Sequence, residues 1–95
     1  MSKLKYRCYT DIIAMILDAA ASGETKTKIM LQANLNHIQI KRYIPSLLSQ
    51  KLIKQRIDLS APSQVYTTTE KGHSFLERYR DVQLLDLTLR QNRNA

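Results

Sequence analysis

The spacing of hydrophobic residues changes twice along this chain, and these changes constrain its fold more than any other feature. Up to about residue 50, apolar residues recur at steps of three and four, the spacing of one face of a helix. Ile53, Ile57 and Leu59 then alternate with polar residues, which is typical of a strand with one solvated face. Beyond residue 69 the helical spacing returns. The sequence therefore predicts helices, a β-hairpin and one further helix.

Turn and capping residues divide the first half of the chain into three helices. The predicted helices cover about residues 9–21, 26–33 and 37–50. Gly23 suits the left-handed position that follows a helix, and Thr25 is a good N-cap for the second helix. Asn36 and Gln39 have the spacing of a capping box at the start of the third helix.

The hairpin and the last helix complete the expected order. Residues 60–63 have turn chemistry, and residues 64–68 are rich in β-branched and aromatic side chains, as a returning strand would be. A long helix then runs over residues 69–90. The order α-α-α-β-β-α predicts an α+β, mainly helical winged helix-turn-helix. We expect residues 1–95 to form one domain, with residues 69–90 as a long dimerisation helix.

Composition and motifs exclude several classes of protein. The chain has 95 residues, and its one cysteine, Cys8, rules out an intrachain disulfide. There is no phosphate-binding loop and no catalytic arrangement, and neither His37 nor His73 has neighbours with metal-ligand spacing. The longest apolar run, residues 12–17, is too short to span a membrane. We therefore expect no enzyme, metal, cofactor or membrane partner, and a cytoplasmic, nucleoid-associated protein.

Charge is concentrated in the middle of the chain. Fifteen Lys and Arg against eight Asp and Glu give a net charge of +7, which favours a nucleic-acid partner. Residues 25–57 form a run of 33 with seven Lys or Arg and no Asp or Glu. Because this run coincides with the second helix, the third helix and the first hairpin strand, double-stranded DNA is the expected partner.

The third helix offers both faces that a recognition helix in the major groove needs. Ile40, Ile44, Leu47 and Leu48 form an apolar stripe. On the other side, Arg42 and Gln39 are suited to guanine and adenine edges, and Lys41 is suited to phosphate. The predicted DNA-binding residues are His37, Gln39, Lys41, Arg42, Ser46 and Lys28, together with Lys54 and Arg56 of the hairpin wing.

The last helix carries more leucine than a domain of this size can cover. Leucines and a valine continue along the helix beyond the part that can pack on the first helix, and bare apolar surface of this extent favours association. We expect a homodimeric coiled coil, in which an acidic residue on the apolar stripe helps to fix the register. The predicted dimer interface comprises Phe75, Tyr79, Val82, Leu85, Asp86 and Leu89.

Nearly the whole chain resembles a family of small basic archaeal winged-helix DNA-binding proteins. The resemblance is carried by NHIQIKRYIPSLLSQKLI at residues 36–53, by YTTTEKG at residues 66–72 and by the leucine-rich last helix. It implies dimerisation through an antiparallel coiled coil and DNA contact by Lys41, Arg42 and the wing, in a regulator or chromatin component. Lys51 stands where such sequences often have glycine, and Thr68 where they usually have an apolar residue.

Two other functions are compatible with the same fold. A winged-helix protein-interaction module within a larger assembly would use the apolar last helix and would not bind duplexes in a salt-dependent way. RNA binding is disfavoured because no aromatic stacking platform is evident in the sequence.

Overall fold

The computed structural model describes residues 7–57, 59–60 and 64–93, which form four helices and a small sheet. The helices α1 to α4 and the strands β1 to β3 follow one another as α1 (Tyr9–Ala19), β1 (Glu24–Thr25), α2 (Lys26–Gln32), α3 (His37–Ser49), β2 (Ile53–Arg56), β3 (Val65–Thr68) and α4 (Glu70–Arg93). All four predicted helices are confirmed, with ends within three residues of those expected. The molecule measures 56 × 27 × 21 Å, because α4 extends beyond the rest of the domain.

The sheet has one strand more than the sequence predicted. The β1 strand pairs with β3, which also pairs with β2, so the order is β1-β3-β2 and both pairings are antiparallel. The β1 strand is only two residues long, too short to show any alternation of polar and apolar residues. The order of elements is therefore α-β-α-α-β-β-α, which preserves the winged helix-turn-helix.

The two strands of the hairpin differ in how far they are buried. Ile53 is buried, but the rest of β2 is exposed, and the strand ends at Arg56. The expectation that Ile57 and Leu59 continue the buried face is wrong, since both side chains are exposed. Ile53 lies opposite Thr68, whose backbone N–H donates to the carbonyl of Ala20. In β3, by contrast, Val65, Tyr66 and Thr68 are buried, and Tyr66 belongs to the core.

The core fills the space between the four helices and the base of the sheet. Fully buried side chains come from every helix of the helix-turn-helix and from the first wing strand. The largest of them are Ile16, Leu17, Ile29, Ile40, Leu47 and Ile53. Burial of such side chains stabilises the fold by about 1.5–3 kcal/mol for each one. This cluster packs against one face of α3 and leaves the opposite face exposed to solvent.

The Thr68 hydroxyl forms a hydrogen bond that an apolar side chain at this position could not form. The side chain is 4% exposed, and its hydroxyl donates to the carbonyl of Leu17 over 2.6 Å. That carbonyl belongs to the last turn of α1, where carbonyl groups have no partner within the helix. Thr68 therefore joins the last strand to the end of the first helix.

Lys51 stands at a position that favours glycine. It follows the C-cap Gln50 of α3 with φ of 61°, in the left-handed region. The N–H of Lys51 donates to Leu48 and that of Leu52 donates to Leu47, which together form a Schellman motif. A lysine here costs about 1–2 kcal/mol relative to right-handed backbone, and the two hydrogen bonds offset this cost.

The end of α3 is joined directly to the start of α4. The Thr69 hydroxyl accepts from the N–H of Gly72 and donates to the carbonyl of Lys51, at 3.1 and 2.6 Å. The N–H of Thr69 donates to the carbonyl of Leu52, and Nζ of Lys71 donates to the carbonyl of Gln50. These contacts, here called the α3–α4 joint, satisfy the carbonyls of the turn that follows α3.

Gly72 allows the α3–α4 joint to close. A Cβ atom at this position would lie 2.3 Å from the carbonyl oxygen of Leu52 and 2.5 Å from the Cγ2 atom of Thr68. We expect Gly72→Ala to lower the free energy of unfolding by roughly 2–3 kcal/mol, because the backbone must move to remove the clash. Denaturant titration measures this loss. The matched control, His73→Ala on the exposed side of the same turn, should change stability by less than about 0.5 kcal/mol.

Candidate nucleic-acid interface

The helix α3 presents a polar and basic face directly to solvent. Ile40, Ile44 and Leu47 hold the helix against the core. Because 3.6 residues make one turn, the side chains on the opposite side are all exposed. They are His37, Ile38, Lys41, Arg42, Pro45, Ser46 and Ser49. The helix therefore has the buried face and the free face that entry into a groove requires.

A capping box fixes the start of α3. Oδ1 of Asn36 accepts from the N–H of Gln39 over 2.8 Å, and Oε1 of Gln39 accepts from the N–H of Asn36 over 3.0 Å. This confirms the predicted capping box. It also uses the carbonyl oxygen of the Gln39 side chain, which is half-buried. Of the side chains predicted to contact DNA from α3, Gln39 is thus the only one that is already engaged.

The turn between α2 and α3 is stabilised from two sides. Asn34 has φ of 55°, and the N–H groups of Asn34 and Leu35 donate to Leu31 and Met30 in a second Schellman motif. The guanidinium of Arg7 donates to the carbonyls of Ala33 and Asn34. Arg7 therefore stabilises the end of α2, whereas Lys3 and Lys5, the other cations of the N-terminal segment, lie outside the described residues.

The other predicted DNA contacts lie on α2 and on the wing. Lys28 is exposed in the first turns of α2 and is 3.9 Å from Glu24, in a solvated pair. Lys54 and Arg56 are exposed and alternate with Gln55, so both project from the same face of β2. Nη2 of Arg56 lies only 3.1 Å from the point where a Cβ of Gly23 would be, so its guanidinium reaches across the sheet.

The charges of α3 are free to act on a ligand. Lys41 and Arg42 form no ion pair with any residue in the described part of the chain. No acidic residue occurs in α2, α3 or β2. An anion that approaches α3 therefore meets Lys41 and Arg42 without a carboxylate partner among the described residues.

The predicted dimer residues of α4 fall into two groups. Phe75 and Tyr79 are half-buried against the core of their own domain, with ring centroids 6.5 Å apart. Val82, Leu85 and Leu89 lie beyond the core and are exposed. Leu84 and Leu87 are exposed on another side of the same helix. Asp86 pairs with Arg90 of its own helix over 3.1 Å.

A hydrogen-bonded cluster holds α4 to α1. The hydroxyl of Tyr79 donates to Oδ1 of Asp11 and accepts from Nε2 of Gln83, the latter over 3.1 Å. Burial and the hydrogen bond to Asp11 raise the pKa of Tyr79 to about 12. The same hydrogen bond lowers the pKa of the Asp11 carboxyl below its usual value. The Tyr79–Asp11 hydrogen bond therefore persists at neutral and at moderately acidic pH, and it holds the first half of α4 against α1.

A groove runs along α4 beside the start of α1. Its volume is about 980 Å³, and its floor includes Phe75, Tyr79 and Val82. Charged side chains border it, among them Arg78 and Asp86. The groove is continuous with the exposed apolar stripe of α4, since Val82 belongs to both.

The structure leaves most of the predicted DNA-binding residues accessible. His37, Lys41, Arg42 and Ser46 share the exposed side of α3, Lys28 lies on α2, and Lys54 and Arg56 share one face of the wing. Ile38 also lies on the exposed side of α3, as the helical wheel predicts, but it is not among the residues predicted from the sequence to bind DNA. Its position on the helical wheel, opposite Ile40 and Ile44, is the signal that identifies it as exposed.

The described residues contain neither a metal-ligand cluster nor a membrane-spanning helix. No group of three or more His, Cys, Asp or Glu side chains has an arrangement that could hold a metal ion. No helix of the described part is both long enough and apolar enough to cross a membrane.

Comparison with known proteins identifies the architecture. The profile of a family described as winged helix-turn-helix matches residues 6–86. The crystal structure of Sso10a-2, a DNA-binding protein from Sulfolobus solfataricus, has a TM-score of 0.79 at 17% identity, covering 93% of this chain and 90% of that one. No curated protein gives a match.

Larger transcription regulators share the same fold. MepR, a regulator of a Staphylococcus aureus multidrug efflux pump, has a TM-score of 0.70 at 15% identity, over 87% of this chain and 62% of that one. ZitR, a zinc-responsive MarR family member from Lactococcus lactis, has a TM-score of 0.67 at 21% identity, over 92% and 60%. This chain thus spans about three fifths of the two regulators.

Proposed function

The chain belongs to the winged helix-turn-helix family, and we propose that it binds double-stranded DNA as a homodimer. In this proposal α3 lies in the major groove, the wing follows the flanking backbone, and the α4 helices pair as an antiparallel coiled coil. The protein would serve as a transcriptional regulator or a chromatin-associated protein. The observation that carries the proposal is the exposed face of α3, where Lys41 and Arg42 project without ion-pair partners among the described residues.

The geometry of α3 supports insertion into the major groove. The groove is about 12 Å wide and admits one helix with its side chains. Arg42 is suited to the edge of a guanine, while Lys41 and Ser46 are suited to phosphate oxygens. The Asn36 capping box leaves the first turn of α3 well ordered, so that these side chains start from a fixed backbone.

The wing supports contacts with the neighbouring backbone. Lys54 and Arg56 project from one face of β2, and the strand next to it in sequence, β3, is buried in its first two residues. Lys54 and Arg56 therefore project from one exposed surface of a strand that is paired with a buried strand. Such a surface is suited to phosphates, whose contacts position a protein on DNA without distinguishing sequences.

Dimerisation is supported by the second half of α4. Val82, Leu85 and Leu89 are exposed along one side of a helix of 24 residues, about 36 Å long. Exposed apolar stripes of this kind are covered by a partner helix in coiled coils. Half-sites on one face of B-DNA recur at about 34 Å. This distance is close to the length of α4, so a pair of α4 helices could hold two α3 helices at the spacing of two half-sites.

The salt dependence of binding tests the DNA partner. We expect the affinity for a mixed-sequence duplex of about three helical turns to fall at least a thousandfold between about 50 and 200 mM salt, because six or more phosphates are neutralised per dimer. Fluorescence anisotropy at several salt concentrations measures this, and log Kd against log salt should be linear with a slope of about 0.9 for each phosphate contacted.

A duplex RNA of the same length serves as the control. Its major groove is too narrow and deep for side chains to read, so α3 should bind it more weakly than DNA at every salt concentration. Equal affinity for RNA and DNA would contradict insertion of α3. If no duplex binds at the lowest salt concentration, the proposed function is wrong, and a protein-interaction role for the exposed α4 surface takes its place.

A further inference from the structure

We propose that Ile38 and Arg42 form a base-reading pair, in which Ile38 contacts the 5-methyl group of a thymine and Arg42 contacts a guanine. This inference rests on the proposed function, since it requires α3 to lie in the major groove. It adds that the protein discriminates between DNA sequences, and it assigns this discrimination to two residues one helical turn apart.

The position of Ile38 is unusual for an isoleucine. It is 71% exposed, although the other isoleucines of α3, Ile40 and Ile44, are buried. With 3.6 residues per turn, Ile38 and Arg42 project about 160° and 200° from the direction of Ile40. In the first two turns of α3 they are therefore the two side chains that project most nearly opposite the core, and these are the ones that the helix would insert deepest with its N-terminal half in a groove.

The chemistry of the major groove offers one apolar partner for such a side chain. Among the four base-pair orientations, the 5-methyl group of thymine is the apolar group on the groove floor, and aliphatic side chains contact it directly. A base-pair edge with only polar groups would leave Ile38 desolvated without a matching contact. Lys41 and Arg42 beside Ile38 carry the positive charge that brings this part of the helix to DNA.

The capping box disfavours the alternative suggested by the sequence, because it holds the Gln39 side chain against the start of α3. A bidentate contact with adenine needs both the oxygen and the nitrogen of a glutamine side chain. Oε1 of Gln39 already accepts from the N–H of Asn36. Discrimination at an A·T pair is therefore assigned to the thymine methyl and Ile38.

The separation of the two side chains sets the distance between the bases that they contact. Four residues along a helix span about 6 Å, and base pairs rise by about 3.4 Å. The thymine and the guanine should therefore lie in the same half-site, one or two base-pair steps apart.

Selection from random duplexes followed by thymine-to-deoxyuridine substitution tests this inference. The selected half-site should contain a thymine and a guanine at the stated separation. Deoxyuridine keeps the base pair and removes only the methyl group. Replacing the contacted thymine should weaken binding about fourfold, the effect of one buried methyl group, whereas replacement of other thymines should have no effect.

Ile38→Ala links the effect to the side chain. The variant should bind the selected duplex about fourfold or more weakly than the parent and should no longer distinguish thymine from deoxyuridine at that position. Because Ile38 is exposed and alanine favours helices, its thermal stability should not fall. Leu31→Ala, which truncates an exposed aliphatic side chain of α2, is the matched control and should keep the full sensitivity to deoxyuridine.

The possible results separate this inference from the proposed function. If the parent binds duplex DNA but selection enriches no sequence, or if Ile38→Ala keeps the sensitivity to deoxyuridine, the base-reading pair is wrong and the proposed function stands. If the parent binds no duplex, both are wrong. Loss of sensitivity in Ile38→Ala together with its retention in Leu31→Ala supports the inference.

Discussion

Replacing Lys41 and Arg42 together by alanine is expected to lower the affinity for duplex DNA by about a hundredfold or more. Both side chains are exposed on α3, and neither forms an ion pair within the described residues. Their removal therefore takes away contacts with DNA without breaking contacts in the protein. Anisotropy titrations at one salt concentration measure the loss, and the slope against salt should decrease by about 1 for each phosphate contact removed.

The double variant needs controls for charge and for folding. Leu84→Asp with Leu87→Asp, on the side of α4 away from the apolar stripe, lowers the net charge by the same two units and should reduce affinity by less than about tenfold, since long-range attraction alone is screened by salt. The melting temperature of Lys41→Ala with Arg42→Ala should remain close to that of the parent, because alanine favours the helix. Unchanged affinity in the double variant would exclude α3 from the DNA interface.

Replacing Val82 and Leu89 by aspartate is expected to convert a dimer into monomers. Both side chains would be covered by the partner in the proposed coiled coil, and a charge buried there without a partner costs several kcal/mol. Sedimentation measures the mass of each variant. DNA affinity should fall by about two orders of magnitude or more as well, since the second recognition helix is no longer held near its half-site.

The opposite side of α4 provides a closely matched control. Leu84 and Leu87 are 64% and 57% exposed, against 64% and 56% for Val82 and Leu89. Leu84→Asp with Leu87→Asp introduces the same charge on the same helix but away from the predicted stripe, and this variant should remain dimeric. A parent protein that sediments as a monomer would contradict the coiled coil itself.

The sequence predicted the helices well because each carries its own local signals. The capping box of Asn36 and Gln39 and the N-cap Thr25 act within four residues, and both were found as expected. The two-residue strand β1 could not be predicted, since it exists only through pairing with residues about 40 positions later in the chain. The exposure of Ile57 and Leu59 depends likewise on where the core ends, which alternation along a strand does not reveal.

The candidate site was predictable as a surface but not in its details. The absence of acidic residues over residues 25–57 and the apolar stripe of α3 were enough to identify the exposed face. Whether a side chain is free or engaged depends on three-dimensional contacts. Arg7 proved to bind the end of α2, and the Gln39 side chain proved to cap α3, although both residue types are common DNA contacts.

The α3–α4 joint limits how far α3 and α4 can move relative to each other. The hydrogen bonds of Thr69 and the absence of a side chain at Gly72 leave little freedom at this junction. Over a lever of about 36 Å, a rotation of 5° displaces the far end by about 3 Å, close to the rise of one base pair. In a dimer built on α4, small changes in the angle at which the helices cross would thus alter which operator spacing the protein accepts.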